Sequence, residues 1–343
     1  MDEALPQVAA RVFIHASFLI AFLLLKSKAK LVSSPRMPNF RTEPVLTRRP
    51  EDGRSSSWGM CIRDGAKIEA PILWRLAHVL EMHRKSNSGP GMSAPLVKIS
   101  IPSIYEVHGE RVPLPERMAR CTPDTKAAIL ATAVAVRARG GRLNLSDLFR
   151  SYDMQLGSHM DWVAKKKTAF SPPPGGSLHE AGRAMDVELD ALKMSLEDFW
   201  KIAASNGLVP IVEKPDHHLS ESWHFSCRGS HALIYDYYKK GNGTNFDKPY
   251  QAMAASAIVS VGVRVDKFED GQLEGYIQSG LIRLGSEIGN IDGQFGPRTE
   301  AALKKHGLLG QGKEAIGAAV EGLLQQKFPG EYFDKTTGSS PFA

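Results

Sequence analysis

The sequence is poor in the residues that several common classes of site require. Its 343 residues include three cysteines, Cys61, Cys121 and Cys227, and no two of them have CxxC spacing. A low and odd cysteine count predicts no disulfide framework, although an exported chain leaves room for one bridge. No Gly-rich phosphate loop or aspartate cluster supports a phosphate or nucleic-acid hydrolase. No dense Lys/Arg run interleaved with aromatic residues is present, so nucleic acid is not an expected partner.

The composition is that of a globular protein with a basic balance of charge. Hydrophobic residues make up 42% of the chain and charged residues 23%. The length suffices for two or three domains with at least one sizeable core. A formal net charge of +6 makes anionic lipid or an anionic cell wall a compatible partner.

The N-terminal region contains one almost wholly apolar run, VFIHASFLIAFLLL, over residues 12–25. The run is short for a membrane span and has the length of a signal-peptide core. Acidic residues precede the run and three lysines follow it. By the positive-inside tendency, this order would leave the chain after the run in the cytoplasm. The alternatives are a signal or anchor that contacts the membrane, a buried helix, or a segment upstream of a true start at Met37 or Met60.

Helical periodicity is clearest over residues 70–84, 122–141 and 195–207. Thr122 is placed as an N-cap with a proline directly after it, and Gly140 is placed to end that helix. The third helix has Ser195 and Asp198 at the spacing of a capping box.

Two short segments, 184–189 and 223–227, alternate apolar and polar side chains as strands do. In each strand a side chain that can bind a metal, Asp186 or His224, has the parity opposite to the apolar residues. This pattern predicts a half-buried sheet that carries a site on one face.

His179, Asp186 and His224 are candidates for three corners of a zinc tetrahedron, with the fourth corner left for water. Such a site needs a carboxylate to take and return a proton, and Glu221 is placed for that role. Residues three apart on a strand point to opposite faces, so we expect Glu221 on the loop entering the strand or on a bulge. Arg150 is the candidate cation for the oxyanion.

Three patterns in this order resemble a known family. They are R-S-Y-x-x-Q over 150–155, S-x-H-x-x-G-x-A-x-D over 177–186, and E-x-W-H over 221–224. The region 142–238 resembles the zinc D-alanyl-D-alanine carboxypeptidases and dipeptidases of the vancomycin-resistance type, which also include phage L-alanyl-D-glutamate endopeptidases. The resemblance implies zinc on His179, Asp186 and His224, Glu221 as general base and acid, Arg150 as transition-state stabiliser, and Ser177, Tyr152 and Gln155 as substrate-binding residues.

Other polar residues near these motifs have simpler interpretations. Cys227 has the same parity as the apolar strand residues, so we expect it to be a buried thiol rather than a fourth metal ligand. His217 and His218 are expected on a solvated loop rather than at a second metal. The lysines of 165–167 are expected to form a solvated patch that favours approach to an anionic wall. Gly182 is expected to turn the chain sharply between His179 and the Asp186 strand.

The segment 291–303, IDGQFGPRTEAAL, resembles the peptidoglycan-binding domain of the three-helix type. Its Asp-Gly pair predicts a turn, Phe295 is expected in the small core, and Pro297 is expected to open a helix. A generic helical hairpin is the alternative. A wall-binding module beside a peptidase would raise the local concentration of its substrate.

Together these features predict an α+β fold. We expect an antiparallel sheet with flanking helices and a zinc site of the hedgehog/DD-peptidase type, followed by a small all-α three-helix domain. The predicted organisation is a hydrophobic N-terminal segment (1–30), a linker (31–60), a zinc peptidase domain (61–240), a second linker (241–254), a peptidoglycan-binding-like domain (255–330) and a tail (331–343).

The expected function is hydrolysis of peptidoglycan stem peptides by a zinc metallopeptidase, foremost as a D-Ala-D-Ala carboxypeptidase. An L-Ala-D-Glu endopeptidase of the lysin kind is the alternative enzyme. A non-catalytic wall-binding or signalling protein with a structural zinc is the alternative from another class. Glu221 favours an enzyme, since a structural site does not need it. The expected location is the cell envelope, the periplasm or the exterior.

Overall fold

The computed structural model describes residues 93–248 and 250–336. The apolar N-terminal run, the linker over 31–60 and the predicted helix over 70–84 lie outside the described residues. Within those described ranges, no helix has both the length and the apolar character that a membrane crossing requires.

The described part has a mixed α/β fold with eight strands. They are β1 Val97–Lys98, β2 Pro102–Val107, β3 Glu110–Pro113, β4 Arg120–Cys121, β5 Leu145–Asp147, β6 Ala184–Val187, β7 Leu208–Pro210 and β8 His224–Cys227. Six of them form a sheet of order β3-β2-β5-β6-β8-β7, and β1 and β4 form a separate pair.

The sheet is not wholly antiparallel, in contrast to the prediction. Strands β2 and β5 pair in parallel, with Ser103 opposite Leu145, whereas the other neighbours in the sheet are antiparallel. A parallel pair needs a long crossover connection, and the chain between these strands includes a 15-residue helix.

The described helices are α1 Pro123–Arg137, α2 Tyr152–Val163, α3 Leu196–Ser205, α4 Ala232–Lys239, α5 Gln251–Val261, α6 Gln272–Arg283, α7 Pro297–Lys305, α8 Lys313–Lys327 and α9 Pro329–Tyr332. Thr122 is the N-cap residue of α1, and Gly140 has a φ of +79° just beyond its end. Ser195 caps α3, since its hydroxyl accepts a hydrogen bond of 3.1 Å from the Asp198 amide.

Strands β6 and β8 are buried on both faces, so the predicted half-buried sheet is wrong. Met185 and Phe225 pack into the core that contains α1 and α3. On the other face, Ala184 packs with Met253 and Ala257 of α5. The second face is therefore covered by a helix that follows β8 in the chain, and the local alternation of residues gave no sign of it.

The C-terminal helices share their hydrophobic core with α4. Ile234 and Tyr237 of α4 belong to the same buried cluster as residues of α5, α6, α7 and α8. The predicted linker 241–254 ends inside α5, and the helices α6, α7, α8 and α9 follow α5 in the described residues. Pro297 begins α7 as expected, and Gly293 has a φ of +75° in the Asp-Gly turn.

Candidate metal centre and active-site cavity

His179, Asp186 and His224 come together as the sequence predicts. Each offers one ligand atom, and these three atoms lie within 4.8 Å of one another. The Asp186 Oδ1 atom lies 3.4 Å from His179 Nε2 and 2.9 Å from His224 Nδ1. Ligands about 2.05 Å from a tetrahedral zinc ion are about 3.3 Å apart. The spacing of the three side chains therefore fits a zinc ion.

Local backbone structure sets these positions. His179 lies in a 3-10 turn, Leu178–Ala181, whose first residue is preceded by the capping hydroxyl of Ser177. Gly182 ends the turn with a φ of +59° and leads the chain into β6. Asp186 on β6 is directly opposite His224 on β8 in the antiparallel register. A turn and a strand pair thus bring distant residues to one point.

The His179 ring is oriented by the backbone. Its Nδ1 donates a hydrogen bond of 2.9 Å to the Leu148 carbonyl, which leaves Nε2 as the free nitrogen. The Nε2 atoms of His179 and His224 are both buried and have no hydrogen-bond partner among the described residues. A buried nitrogen costs free energy when it is unpaired, and a metal ion bound at His179 Nε2 would remove that cost.

Asp186 is held in its ionised form. Burial acts to raise its pKa, but His179 and His224 hold the pKa of this carboxyl well below its usual range. Its second oxygen lies 3.5 Å from Arg150 Nη2. A carboxylate must be deprotonated to bind a metal ion, so these neighbours favour the ligand form.

Glu221 lies at the edge of the same site. It occupies the turn before β8 with a φ of +68°, as expected for a residue on the loop entering the strand. Its Oε2 is 4.0 Å from His224 Nδ1. Burial, assisted by the charge of Asp186, raises the pKa of Glu221 against the opposing effect of both histidines and Arg150. A carboxyl with a raised pKa is suited to taking and returning a proton.

Arg150 lies beside Asp186 and lines the same cavity as the candidate ligands. Its Nε donates to Asp147 Oδ2 at 2.5 Å, and its Nη1 donates to Gln155 Oε1 at 3.2 Å. Burial opposes its charge, but Asp147 and Asp186 raise the pKa of Arg150 above its ordinary value. The guanidinium therefore stays cationic and fixed in place.

The three residues predicted to bind substrate have different surroundings. Ser177 lines the cavity, where its hydroxyl also accepts from the His179 amide at 3.3 Å. Gln155 is fully buried, and its amide donates to the Pro172 carbonyl at 2.7 Å. The Tyr152 hydroxyl donates to Asp266 Oδ2 at 2.7 Å, and neither Tyr152 nor Gln155 lines the cavity. Gln155 lies behind Arg150, and Tyr152 ties α2 to the C-terminal region.

A cavity of about 200 Å³ opens over the site and has walls that the sequence did not predict. Lys167, expected in a solvated patch, is half-buried and lines it. Phe170 and Tyr250 also line it and stack with ring centroids 4.6 Å apart. Tyr250 and Met253 come from the predicted linker, and no local sequence signal marks them, because a long-range contact puts them there.

The remaining candidates do not reach the site. Cys227 is buried, and the Arg183 guanidinium donates to its sulfur at 3.7 Å. Burial raises the pKa of the Cys227 thiol to about 12, and Cys227 is not among the residues whose ligand atoms converge. His217 and His218 are exposed on the loop before β8, as expected.

A scan against protein-family models and a search of curated proteins find no match to this sequence. Among solved structures, the chain is similar to the LdcB LD-carboxypeptidase, with 18% identity and a TM-score of 0.30, over 44% of this chain and 76% of that chain. It is also similar to a zinc-bound variant of the vancomycin-resistance D,D-pentapeptidase VanY, with 16% identity and a TM-score of 0.28, over 44% of this chain and 87% of that chain. At this level of likeness, the function of this chain is inferred from its own residues.

Proposed function

We propose that this protein is a zinc-dependent metallopeptidase that hydrolyses peptidoglycan stem peptides, foremost as a D-Ala-D-Ala carboxypeptidase. The observation that carries the proposal is the convergence of His179, Asp186 and His224 beside Glu221 in one cavity. The three sequence patterns that resemble the D-alanyl-D-alanine carboxypeptidases supply these residues. Action on the wall assigns the chain to the cell envelope, the periplasm or the exterior.

The three ligand residues would hold the zinc ion, which would supply Lewis-acid activation of water and of the scissile carbonyl. Two imidazoles and one carboxylate are a usual donor set for catalytic zinc, which keeps a position open for water or substrate. The Leu148 carbonyl holds the His179 ring in the tautomer that presents Nε2.

Glu221 would accept the proton of the attacking water and deliver it to the departing amine. Burial raises the pKa of Glu221, which favours this exchange, and its Oε2 atom lies 4.0 Å from His224 Nδ1 at the edge of the site. Arg150 would stabilise the negative charge that develops on the carbonyl oxygen, because its guanidinium is already fixed by Asp147 and Gln155.

Two alternatives predict different products. An L-Ala-D-Glu endopeptidase would use the same groups on an internal bond. A wall-binding protein with a structural zinc would need the three ligands but not Glu221, and the placement of Glu221 on the cavity wall favours an enzyme.

Mass spectrometry of defined stem pentapeptides incubated with the zinc-loaded full chain tests the proposal. We expect loss of the terminal D-Ala, no product in the presence of a chelator, and no product from Glu221→Gln, which should keep its zinc. Release of a dipeptide, or a cut after L-Ala, would change the assigned bond. Full activity of His179→Ala would contradict the zinc assignment.

A further inference from the structure

We infer that Lys167 is the receptor for the free C-terminal carboxylate of the substrate and so makes the enzyme a carboxypeptidase. This inference rests on the proposed function and assigns it a specificity residue. Lys167 is half-buried and lines the cavity together with the metal ligands, Glu221 and Arg150.

The two cations of the cavity have different partners. Arg150 is paired with Asp147 at 2.5 Å and lies 3.5 Å from Asp186. Lys167 has no carboxylate within ion-pair distance in the part of the chain that the structure describes, and its Nζ donates to the neutral Ser158 hydroxyl at 2.6 Å. The Lys167 ammonium is therefore the cation in this cavity whose charge a ligand can balance.

Electrostatics favour an anion beside Lys167. Burial, with a contribution from the charge of Arg150, lowers the pKa of Lys167. A bound carboxylate would replace lost hydration and would offset the repulsion from Arg150. A charge-assisted hydrogen bond of this kind is stronger than one between neutral groups.

A chain of hydrogen bonds connects the two cations. Gln155 accepts from Arg150 at 3.2 Å and donates to the Ser171 hydroxyl at 3.1 Å. The Ser171 hydroxyl donates to that of Ser158 at 3.0 Å, and Ser158 accepts from Lys167. The position of Lys167 is thus tied to that of Arg150, which is the arrangement needed to bind a carboxylate at a set distance from the reacting carbonyl.

The size of the cavity is compatible with a small anionic group. The cavity of about 200 Å³ has space for a small group such as one terminal amino-acid residue. The stacked rings of Phe170 and Tyr250 form one of its walls. A terminal D-Ala, whose carboxylate is one residue from the scissile carbonyl, matches both the charge and the space.

The test compares a peptide ending in D-Ala-D-Ala as the free acid with the same peptide as its C-terminal amide. Wild type should prefer the acid in kcat/KM by about ten- to a hundredfold. Lys167→Met should lose that preference, chiefly through KM for the acid, and Lys167→Arg should keep part of it. Lys166→Met is the matched control, since Lys166 is exposed and pairs with Asp161.

The outcomes separate this inference from the proposed function. Equal hydrolysis of acid and amide by wild type, or a cut at an internal bond, would overturn the role of Lys167 and leave a zinc peptidase. A preference for the acid that survives in Lys167→Met, with normal zinc content, would also overturn the role of Lys167. Hydrolysis of neither peptide by the zinc-loaded wild type would contradict the proposed function itself, and the assignment of Lys167 with it.

Discussion

Arg150 is oriented by neighbouring side chains before any substrate binds. The Asp147 carboxylate both accepts from its Nε and, through Oδ1, accepts from the Leu148 amide at 2.8 Å. The Leu148 carbonyl in turn accepts from His179. One short segment, from the end of β5 to Leu148, therefore orients Arg150 and His179 at the same time.

Asp147→Asn should lower kcat without loss of zinc. The amide oxygen can still accept from Leu148, so the backbone beside His179 is kept, but Arg150 loses its main counter-charge. A guanidinium displaced by about 1 Å costs on the order of a hundredfold in rate. Steady-state kinetics together with zinc analysis check this. Asp161→Asn, which removes an exposed partner of Lys166, is the control and should match wild type.

At this scale, local motifs predicted which residues converge, because His179, Asp186, Glu221 and His224 lie within two short segments. The residues that distant parts of the chain bring to the cavity were not predictable in this way. Tyr250 lies in a segment read as a linker, and nothing in its neighbours indicates a cavity wall. The roles of Gln155 as a support and Lys167 as a lining residue depend on how the loop after α2 folds back.

At the scale of elements, Gly182 links the turn that holds His179 to the strand that holds Asp186. The backbone there has a φ of +59°, and a Cβ would lie 2.7 Å from the Cys121 Cα, which is a backbone atom that cannot easily move. The turn joins the His179 segment to the Asp186 strand. A displaced turn would separate two of the three ligands.

Gly182→Ala should lower the free energy of unfolding by about 2 to 4 kcal/mol and weaken zinc binding. Urea unfolding and zinc titration measure the two effects. The control is Gly157→Ala, in the interior of α2, where a Cβ would meet open space. This substitution should raise the free energy of unfolding by at most about 1 kcal/mol. Unaltered zinc affinity in Gly182→Ala would show that the turn does not set the ligand positions.

Elements with local start signals were predictable, and their packing was not. Thr122 with Pro123, and Ser195 with Asp198, mark the starts of α1 and α3, and of the two N-cap residues only Ser195 accepts a hydrogen bond from a helix amide. The burial of β6 on both faces depends on α5, which lies more than 60 residues later in the chain. The alternation of residues within a strand does not indicate which distant helix packs on it.

A buried ionic network connects the C-terminal end of the described chain to the strand of Asp186. Glu331 on α9 accepts from Arg283, from Ser230 at 2.9 Å and from His231 Nε2 at 3.1 Å. Arg183, just before β6, lies 3.7 Å from Glu331 and donates to Asp124 at 2.8 Å. The C-terminal helices are therefore tied by buried ionic contacts to the residue that precedes the strand of Asp186.

His231 makes this network sensitive to acid. Burial and the charges of Arg183 and Arg283 lower its pKa to about 3, from an ordinary value of 6.5. Between these values the unfolded chain binds a proton that the folded chain does not. The free energy of unfolding should therefore fall as the pH drops, by about 2 kcal/mol from this residue between pH 7 and pH 5.

Urea unfolding at pH 7 and pH 5, in the presence of a chelator, measures this dependence without interference from metal. His231→Gln should show a pH dependence smaller by about 2 kcal/mol, because its side chain does not titrate. His218→Gln, on an exposed loop, should behave as wild type does. An identical pH dependence in His231→Gln would show that His231 takes up its proton without loss of stability.

The central claim is that His179, Asp186 and His224 form a zinc centre that serves hydrolysis. The most direct measurement is the zinc content of the purified full chain after equilibration with zinc and removal of the excess. We predict about one zinc ion per chain in wild type and in Glu221→Gln, and a loss of that ion in His179→Ala. Equal zinc content in wild type and His179→Ala, or no retained zinc in wild type, would contradict the claim.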